Sequence, residues 1–130
     1  MRGLVKNRPF SHVRIAVPSE QEILITMYRE FNARNIEAVL ARLDPNVDWP
    51  NGMEGGRVLG LENVRAYWTR QFQTLDPRVD PVGFSHDNAG RTVVEVHQVV
   101  RDLAGVLLAD QIVHHAYTFE NNIITRMDIE

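Results

Sequence analysis

The sequence predicts an α+β domain in which three N-terminal helices pack on one face of a mostly antiparallel sheet. Apolar residues recur at helical spacing up to about residue 75, and strand-like alternation replaces that spacing afterwards. Turn signals at residues 103–105 and 120–122 then separate long alternating segments. Helices that precede an antiparallel meander generally cover one face of it, which gives the predicted architecture.

The three helices are predicted from their caps and apolar faces. Ser19 and Glu22 have the spacing of a capping box, so the first helix should begin there, with Ile23 and Met27 on its buried face. Asn35 is predicted to cap a short second helix, whose apolar face contains Ile36, Val39, Leu40 and Leu43. A third helix is predicted to open at Gly60, and its apolar stripe contains Leu61, Val64, Trp68, Phe72 and Leu75.

Strands are predicted at residues 47–50, 79–84, 91–102, 107–119 and 123–129. The segment 79–84 is the weakest of them because it contains Pro81. Gly105 is expected to supply the left-handed residue of the hairpin turn between the two longest strands.

Composition excludes several kinds of site. The chain has 130 residues, enough for one domain, and contains no cysteine, so disulfides, thiol nucleophiles and cysteine-based metal centres are excluded. Lys6 is the only lysine, which disfavours a Schiff-base mechanism. No glycine-rich phosphate loop is present. The side chains that remain as catalytic candidates are the carboxylates, the tyrosines and five histidines.

Charge is unevenly distributed along the chain. Residues 1–18 carry four basic side chains and no acid, whereas the remainder carries ten arginines and 17 acids. We therefore predict a flexible basic extension at residues 1–18 and an acidic folded domain at residues 19–130. An acidic domain disfavours nucleic acid as a partner. No apolar run approaches the length of a bilayer span, so no membrane partner is expected. The apolar segments near residues 4–5 and 15–17 are too short for a secretory signal, so a cytoplasmic location is expected.

Five local patterns carry a resemblance to a known family. They are Asn-Ile-Glu-Ala-Val-Leu at residues 35–40, Val-Asp-Trp-Pro at 47–50, Gly60 with Trp68, His-Ala-Tyr-Thr-Phe at 115–119, and Ile-Ile-Thr-Arg-Met at 123–127. Over about residues 19–130 the chain resembles the SnoaL-like family of the nuclear-transport-factor-2-like superfamily. The family contains isomerases, cyclases, dehydratases and non-catalytic subunits, so its fold alone does not decide a function.

The resemblance implies a cone-shaped fold with a pocket between the helices and the concave side of a curved sheet. It also implies, for many members, a homodimer formed through the outer face of the sheet. In ketosteroid isomerases the general base and the two oxyanion groups lie at positions that match Trp49, Met27 and His115 here. All three positions depart from that pattern, so steroid isomerisation with those groups is rejected.

His97 and His115 are the leading catalytic candidates, with Glu95 beside them. If the turn at Gly105 carries a one-residue bulge, alternation places both histidines on the pocket face of neighbouring strands. The pair is similar to the two strand histidines of scytalone dehydratases, with Tyr28 as their helix-borne partner. Two other interpretations stay open: core histidines bonded to protein, and, least favoured, a metal site of two histidines and Glu95. We predict no metal and no cofactor.

Large apolar and amphipathic side chains are predicted to line the pocket. The predicted lining is Tyr28, Phe31, Trp49, Trp68, Phe72, Gln111, Tyr117 and Met127. The same pairing of the two strands predicts an apolar outer face of the sheet. We expect a second copy of the chain to bury that face. That face contains Val94, Val96, Val100, Leu108, Ile112 and Ala116.

The expected ligand is therefore a small, mostly apolar molecule. One function is a cofactor-free acid–base isomerase, cyclase or dehydratase that acts on a cyclic or carbonyl-bearing substrate. The alternative is a non-catalytic module for ligand binding or dimerisation.

Overall fold

The computed structural model describes residues 18–130, so the predicted extension lies outside the described residues except for Pro18. The helices are α1 (Glu20–Asn32), α2 (Ile36–Leu40) and α3 (Leu61–Gln71). The strands are β1 (Leu43–Pro50), β2 (Arg57–Leu59), β3 (Leu75–His86), β4 (Thr92–Asp102), β5 (Leu107–Glu120) and β6 (Ile123–Ile129).

The six strands form one sheet in the order β2-β1-β6-β5-β4-β3. Every neighbouring pair is antiparallel except β1 and β6, which run parallel. The helices pack on this sheet, so the predicted α+β architecture with three helices and a mostly antiparallel sheet is confirmed. Within residues 18–130 no helix has both the length and the apolar character needed to cross a bilayer.

Helix α1 begins as predicted, because Ser19 and Glu22 form a reciprocal capping box. The Glu22 amide donates to Ser19 Oγ over 3.1 Å, and the Ser19 amide donates to Glu22 Oε1 over 2.8 Å. One face of the helix is buried in the core through Ile23, Leu24 and Met27. Burial of this face, rather than helix propensity, supplies most of the stabilisation of a helix of this length.

Several predicted boundaries are wrong because tertiary pairing overrides local pattern. Leu43 pairs with Ile124 of β6 and starts strand β1 instead of ending α2. Asn35 occupies the N-cap of α2, but its side chain donates to Glu30 rather than capping the helix. Helix α3 ends at Gln71, and Leu75 already belongs to β3. The three-residue strand β2 was not predicted.

Strand β3 is an edge strand, which explains why it tolerates two prolines inside twelve residues. Pro77 and Pro81 lack an amide donor, and only β4 pairs with the strand. Between them, the Val79 amide donates to Asn32 Oδ1 over 2.9 Å, and Asn32 Nδ2 donates to the Val79 carbonyl over 2.8 Å. The last residue of α1 therefore satisfies the backbone on the outer side of the strand.

The pairing of β4 with β5 contradicts the predicted register. Beside the turn Arg101 pairs with Leu107, but the next pair is Val100 with Ala109, so Leu108 is an extra residue in β5. Such a bulge changes which side chains share a face, because strand side chains alternate. The residues of β5 that were predicted to face the pocket do face it. In β4 the prediction is wrong by one residue, so the side chains predicted to face the pocket lie on the outer face.

The outer face of the sheet is therefore not the apolar surface that was predicted. Val94 and Val96 are fully buried on the helix side, and Val100 and Leu108 line the cavity described below. Of the predicted set, only Ile112 and Ala116 lie outside. The outer face instead carries ion pairs between Arg57, Arg91 or Arg126 and Asp48, Asp87, Asp128 or Glu130.

Candidate functional site

A cavity of about 440 Å3 lies between the helices and the inner face of the sheet. Apolar and aromatic side chains from α1, α3 and five strands form most of its wall. Seven of the eight predicted lining residues contribute to it: Tyr28, Phe31, Trp49, Trp68, Gln111, Tyr117 and Met127. A cavity of this size and character suits a small organic molecule.

Phe72 is the predicted lining residue that the structure places elsewhere. It caps the C-terminus of α3, and its ring packs 5.3 Å from the ring of Phe31. The guanidinium of Arg34 lies over its outer side, 4.3 Å from the ring centre. Phe72 packs against Phe31, which itself lines the cavity, so its ring lies behind the cavity wall.

A chain of three polar side chains lies in the cavity wall. The Tyr28 hydroxyl is 2.8 Å from Nδ1 of His115 and 2.8 Å from the Tyr117 hydroxyl. Helix α1 supplies the central tyrosine, while His115 and Tyr117 lie two residues apart on β5 and so project from the same face. The other ring nitrogen of His115, Nε2, has no hydrogen-bond partner among residues 18–130.

Burial keeps all three groups uncharged near neutral pH. The exposed fractions are 5% for Tyr28, 7% for His115 and 2% for Tyr117. Burial, with a smaller contribution from His114, lowers the pKa of His115 to about 4. Burial also raises the pKa of Tyr28 and of Tyr117 above the usual range of a tyrosine. The site therefore offers neutral donors and acceptors rather than an ion.

His97 and Glu95 do not join this site, which corrects the predicted catalytic pair. His97 pairs with Ile112 on the outer face, and its Nε2 lies 2.7 Å from Oδ1 of Asp110. Glu95 is exposed opposite His114 on the same outer face. The prediction that His97 and His115 share a face assumed a bulge at the Gly105 turn only. It is wrong because Leu108 is a further extra residue in β5.

The same placement removes the metal alternative. His115 lies inside the sheet while Glu95 and His97 lie outside, so the three side chains cannot bind one ion. Within residues 18–130 no group of three histidine or carboxylate side chains has a geometry that would hold a metal.

Two tryptophans form the aromatic part of the wall. Trp49 and Trp68 meet edge to face with ring centres 5.4 Å apart, and Trp68 meets Phe31 in the same way at 5.5 Å. Trp49 also lies 6.2 Å from the ring of Tyr117. The aromatic wall is thus continuous with the polar chain, and one ligand can contact both.

Gln98 and Tyr67 are among the cavity residues that were not predicted from the sequence. Gln98 faces the cavity directly opposite Gln111, and Gln111 Nε2 donates to Gln98 Oε1 over 3.0 Å. Its inward position depends on the bulge, which no local pattern signals. Tyr67, adjacent to the apolar stripe of α3, accepts a hydrogen bond of 3.0 Å from the Gly52 amide and so ties the loop after β1 to the wall.

Comparison with known proteins places the chain among proteins of one fold. Residues 24–127 match the family model described as a SnoaL-like domain. No curated protein matches the chain.

Three solved structures illustrate the likeness. An NTF2-like protein of unknown function from Burkholderia pseudomallei is 26% identical, with a TM-score of 0.75 over 88% of this chain and 91% of that one. TerC, co-crystallised with polyporic acid, is 28% identical, with a TM-score of 0.73 over 85% and 89%. A candidate polyketide cyclase from Pseudomonas putida is 18% identical, with a TM-score of 0.72 over 88% and 92%, which shows the fold alone.

Proposed function

Since the chain belongs to the SnoaL-like family, we propose that it binds a small, mostly apolar cyclic molecule with a carbonyl or hydroxyl group and acts on it by cofactor-free acid–base chemistry. The observation that carries this proposal is the hydrogen-bonded chain of Tyr28, His115 and Tyr117 in an otherwise largely apolar cavity. Few, well-placed polar groups in an apolar wall are typical of sites that orient small organic ligands.

The polar chain sets which ligand groups the site can accept. Nε2 of His115 and the Tyr117 hydroxyl can each donate or accept a hydrogen bond, according to the tautomer of the imidazole. Neither end carries a charge near neutral pH. The site can therefore orient a carbonyl, enol or phenol group of a bound ligand by hydrogen bonds.

The likeness to TerC supports the same class of ligand. That protein was crystallised with polyporic acid, a hydroxylated quinone that carries two phenyl rings. Such a compound combines flat apolar rings with carbonyl and hydroxyl groups. The aromatic wall and the polar chain of this cavity match the two parts of such a molecule.

Binding of polyporic acid is the direct test. Both tryptophans of the chain line the cavity, so intrinsic fluorescence reports occupancy of this site. We expect the quinone to quench this fluorescence in a saturable manner, after correction for its own absorption. Ala109→Phe places a phenyl ring in the cavity wall and should weaken binding by at least about tenfold, or 1.4 kcal/mol.

Ala104→Phe is the matched control, because Ala104 is exposed in the turn between β4 and β5 and should leave the affinity unchanged. Equal affinity of both variants would mean that the quinone binds outside the cavity. An absence of saturable quenching by the unmodified protein would contradict the proposed ligand class.

A second function, ligand binding without a reaction, is favoured by one observation. His115 already shares its Nδ1 with Tyr28, as expected of a structural histidine. The binding test does not separate the two functions, because both require an occupied cavity.

We also propose a homodimer formed through the outer face of the sheet. Ile112 is 51% exposed on that face, opposite His97, and Val99 of β4 lies half-buried beside it. Light scattering at micromolar concentration should return twice the chain mass of 14.9 kDa. Ile112→Arg should yield the monomer, because a desolvated arginine without a partner opposes association.

Ile25→Arg is the control for this experiment, since Ile25 is exposed on α1, which packs on the opposite side of the sheet. This variant should remain a dimer. A monomeric mass for the unmodified chain would contradict the homodimer.

A further inference from the structure

We propose that Tyr117, Tyr28 and His115 form a neutral proton relay with two ends in the cavity, which removes a proton from carbon at one end while delivering a proton to oxygen at the other. The inference rests on the proposed function, and it extends it by naming the substrate class as enolisable ketones. His115 and Tyr117 contact the substrate, whereas Tyr28 acts through them as a positioning residue.

The geometry allows only two arrangements of protons along this chain. Tyr28 lies in the middle, with two contacts of 2.8 Å, and a hydroxyl has a single proton to donate. In the first arrangement, His115 Nδ1–H donates to Tyr28, Tyr28 donates to Tyr117, and the Tyr117 proton points to the ligand. In the second, Tyr117 donates to Tyr28, Tyr28 donates to Nδ1, and the proton of the imidazole is on Nε2.

Conversion of the first arrangement into the second is an acid–base reaction on a bound ketone. Nε2 takes a proton from the carbon next to the carbonyl, and the electron pair of that C–H bond forms the carbon–carbon double bond of an enol. The Nδ1 proton passes to Tyr28, the Tyr28 proton to Tyr117, and the Tyr117 proton to the carbonyl oxygen. Every proton is accounted for, and the reverse sequence returns the ketone.

The relay suits a buried site because no step leaves a net charge on the protein. An imidazolium or a tyrosinate would be costly here, as the low pKa of His115 and the raised pKa values of both tyrosines indicate. Transfer along the whole chain avoids both ions. The three groups therefore do together what none does alone near neutral pH.

The two ends are placed so that one small molecule can reach both. His115 and Tyr117 project from the same face of β5, and their ring centres are 6.3 Å apart. A ketone has its acidic carbon and its oxygen separated by one carbon atom, so both lie on one edge of the molecule. The aromatic wall formed by Trp49 and Trp68 accommodates the remaining apolar body.

Exchange of hydrogen for deuterium in 2-tetralone tests the relay. This ketone carries an aromatic ring and acidic protons next to its carbonyl, and loss of its proton signal in D2O is followed by NMR. We expect the unmodified protein to accelerate exchange above the buffer rate. His115→Gln, Tyr117→Phe and Tyr28→Phe should each lower kcat for exchange by about 100-fold, the usual contribution of a positioned acid or base.

The Tyr28→Phe variant distinguishes a role of Tyr28 in proton transfer from a purely structural role in the cavity wall. It should keep KM for 2-tetralone and the quenching by polyporic acid while losing kcat, whereas loss of the wall would change KM and both ligand affinities. His97→Gln is the control, because His97 lies on the outer face and should leave exchange unchanged. Thermal melts establish that each variant is folded.

Several outcomes would overturn the proposal. If polyporic acid quenches the tryptophan fluorescence but 2-tetralone exchanges no faster than in buffer, the relay is wrong and the binding function stands. If Tyr28→Phe exchanges as fast as the unmodified protein, His115 acts alone and the relay is likewise wrong. If neither compound binds, the relay and the proposed function are both contradicted.

Discussion

We expect Trp68→Ala to lower the free energy of unfolding by about 3–5 kcal/mol, the cost of removing a large aromatic side chain from a core. Trp68 is only 3% exposed, and its ring meets Trp49 and Phe31 edge to face. The side chain joins α3 to both the sheet and α1. Its removal leaves a void beside the cavity that the neighbouring rings cannot fill.

Denaturant unfolding followed by circular dichroism measures this loss, since the secondary structure reports the transition without relying on tryptophan. Leu103→Ala is the control, because Leu103 is 63% exposed in the turn after β4 and should change stability by less than about 0.5 kcal/mol. Equal midpoints for Trp68→Ala and the unmodified protein would show that α3 does not pack on the sheet through this residue.

The second large effect is a loss of stability at acidic pH that depends on His115. The pKa of His115 is about 4 in the folded protein, against 6.5 for an ordinary histidine. Between these values the unfolded chain binds more protons than the folded one, so stability falls as the pH falls. The difference corresponds to about 3 kcal/mol, which is fully lost once the pH is below both values.

A comparison with His115→Gln isolates this contribution. Carboxylates titrate in the same range, but they do so in both proteins, and their effect cancels in the difference. On going from about pH 7.5 to about pH 4.5, the unmodified protein should lose roughly 2–3 kcal/mol more unfolding free energy than the variant. Parallel pH profiles for the two proteins would show that His115 is not buried as a neutral ring.

Local signals in the sequence predicted most of the fold. The capping box at Ser19 places the start of α1, and Gly60, with its positive φ of 85°, opens α3 as expected. Such signals act within a few residues and therefore survive in one sequence. Leu43 shows the limit, since its place in β1 depends on Ile124, more than eighty residues away.

The sequence predicted only the part of the site that depends on local pattern. Alternation along β5 correctly put Gln111, His115 and Tyr117 on one face, because the strand is regular from Ala109 to Thr118. Which side chains of β4 face the cavity depends on how β4 pairs with β5, and not on the sequence pattern of β4 itself. One extra residue, Leu108, therefore moved His97 outside and brought Gln98 inside, and no feature of the local sequence indicates such an insertion.

The outer side of β3 also determines how the protein resists aggregation. An exposed edge strand offers backbone groups on which a further strand, and ultimately a fibril, can grow. Here Pro77 and Pro81 remove two donors, and the Asn32 amide occupies both backbone groups of Val79 between them. A growing intermolecular sheet would have to displace the end of α1 before it could add to this edge. Protection from edge-to-edge assembly is thus coupled to the folding of a helix.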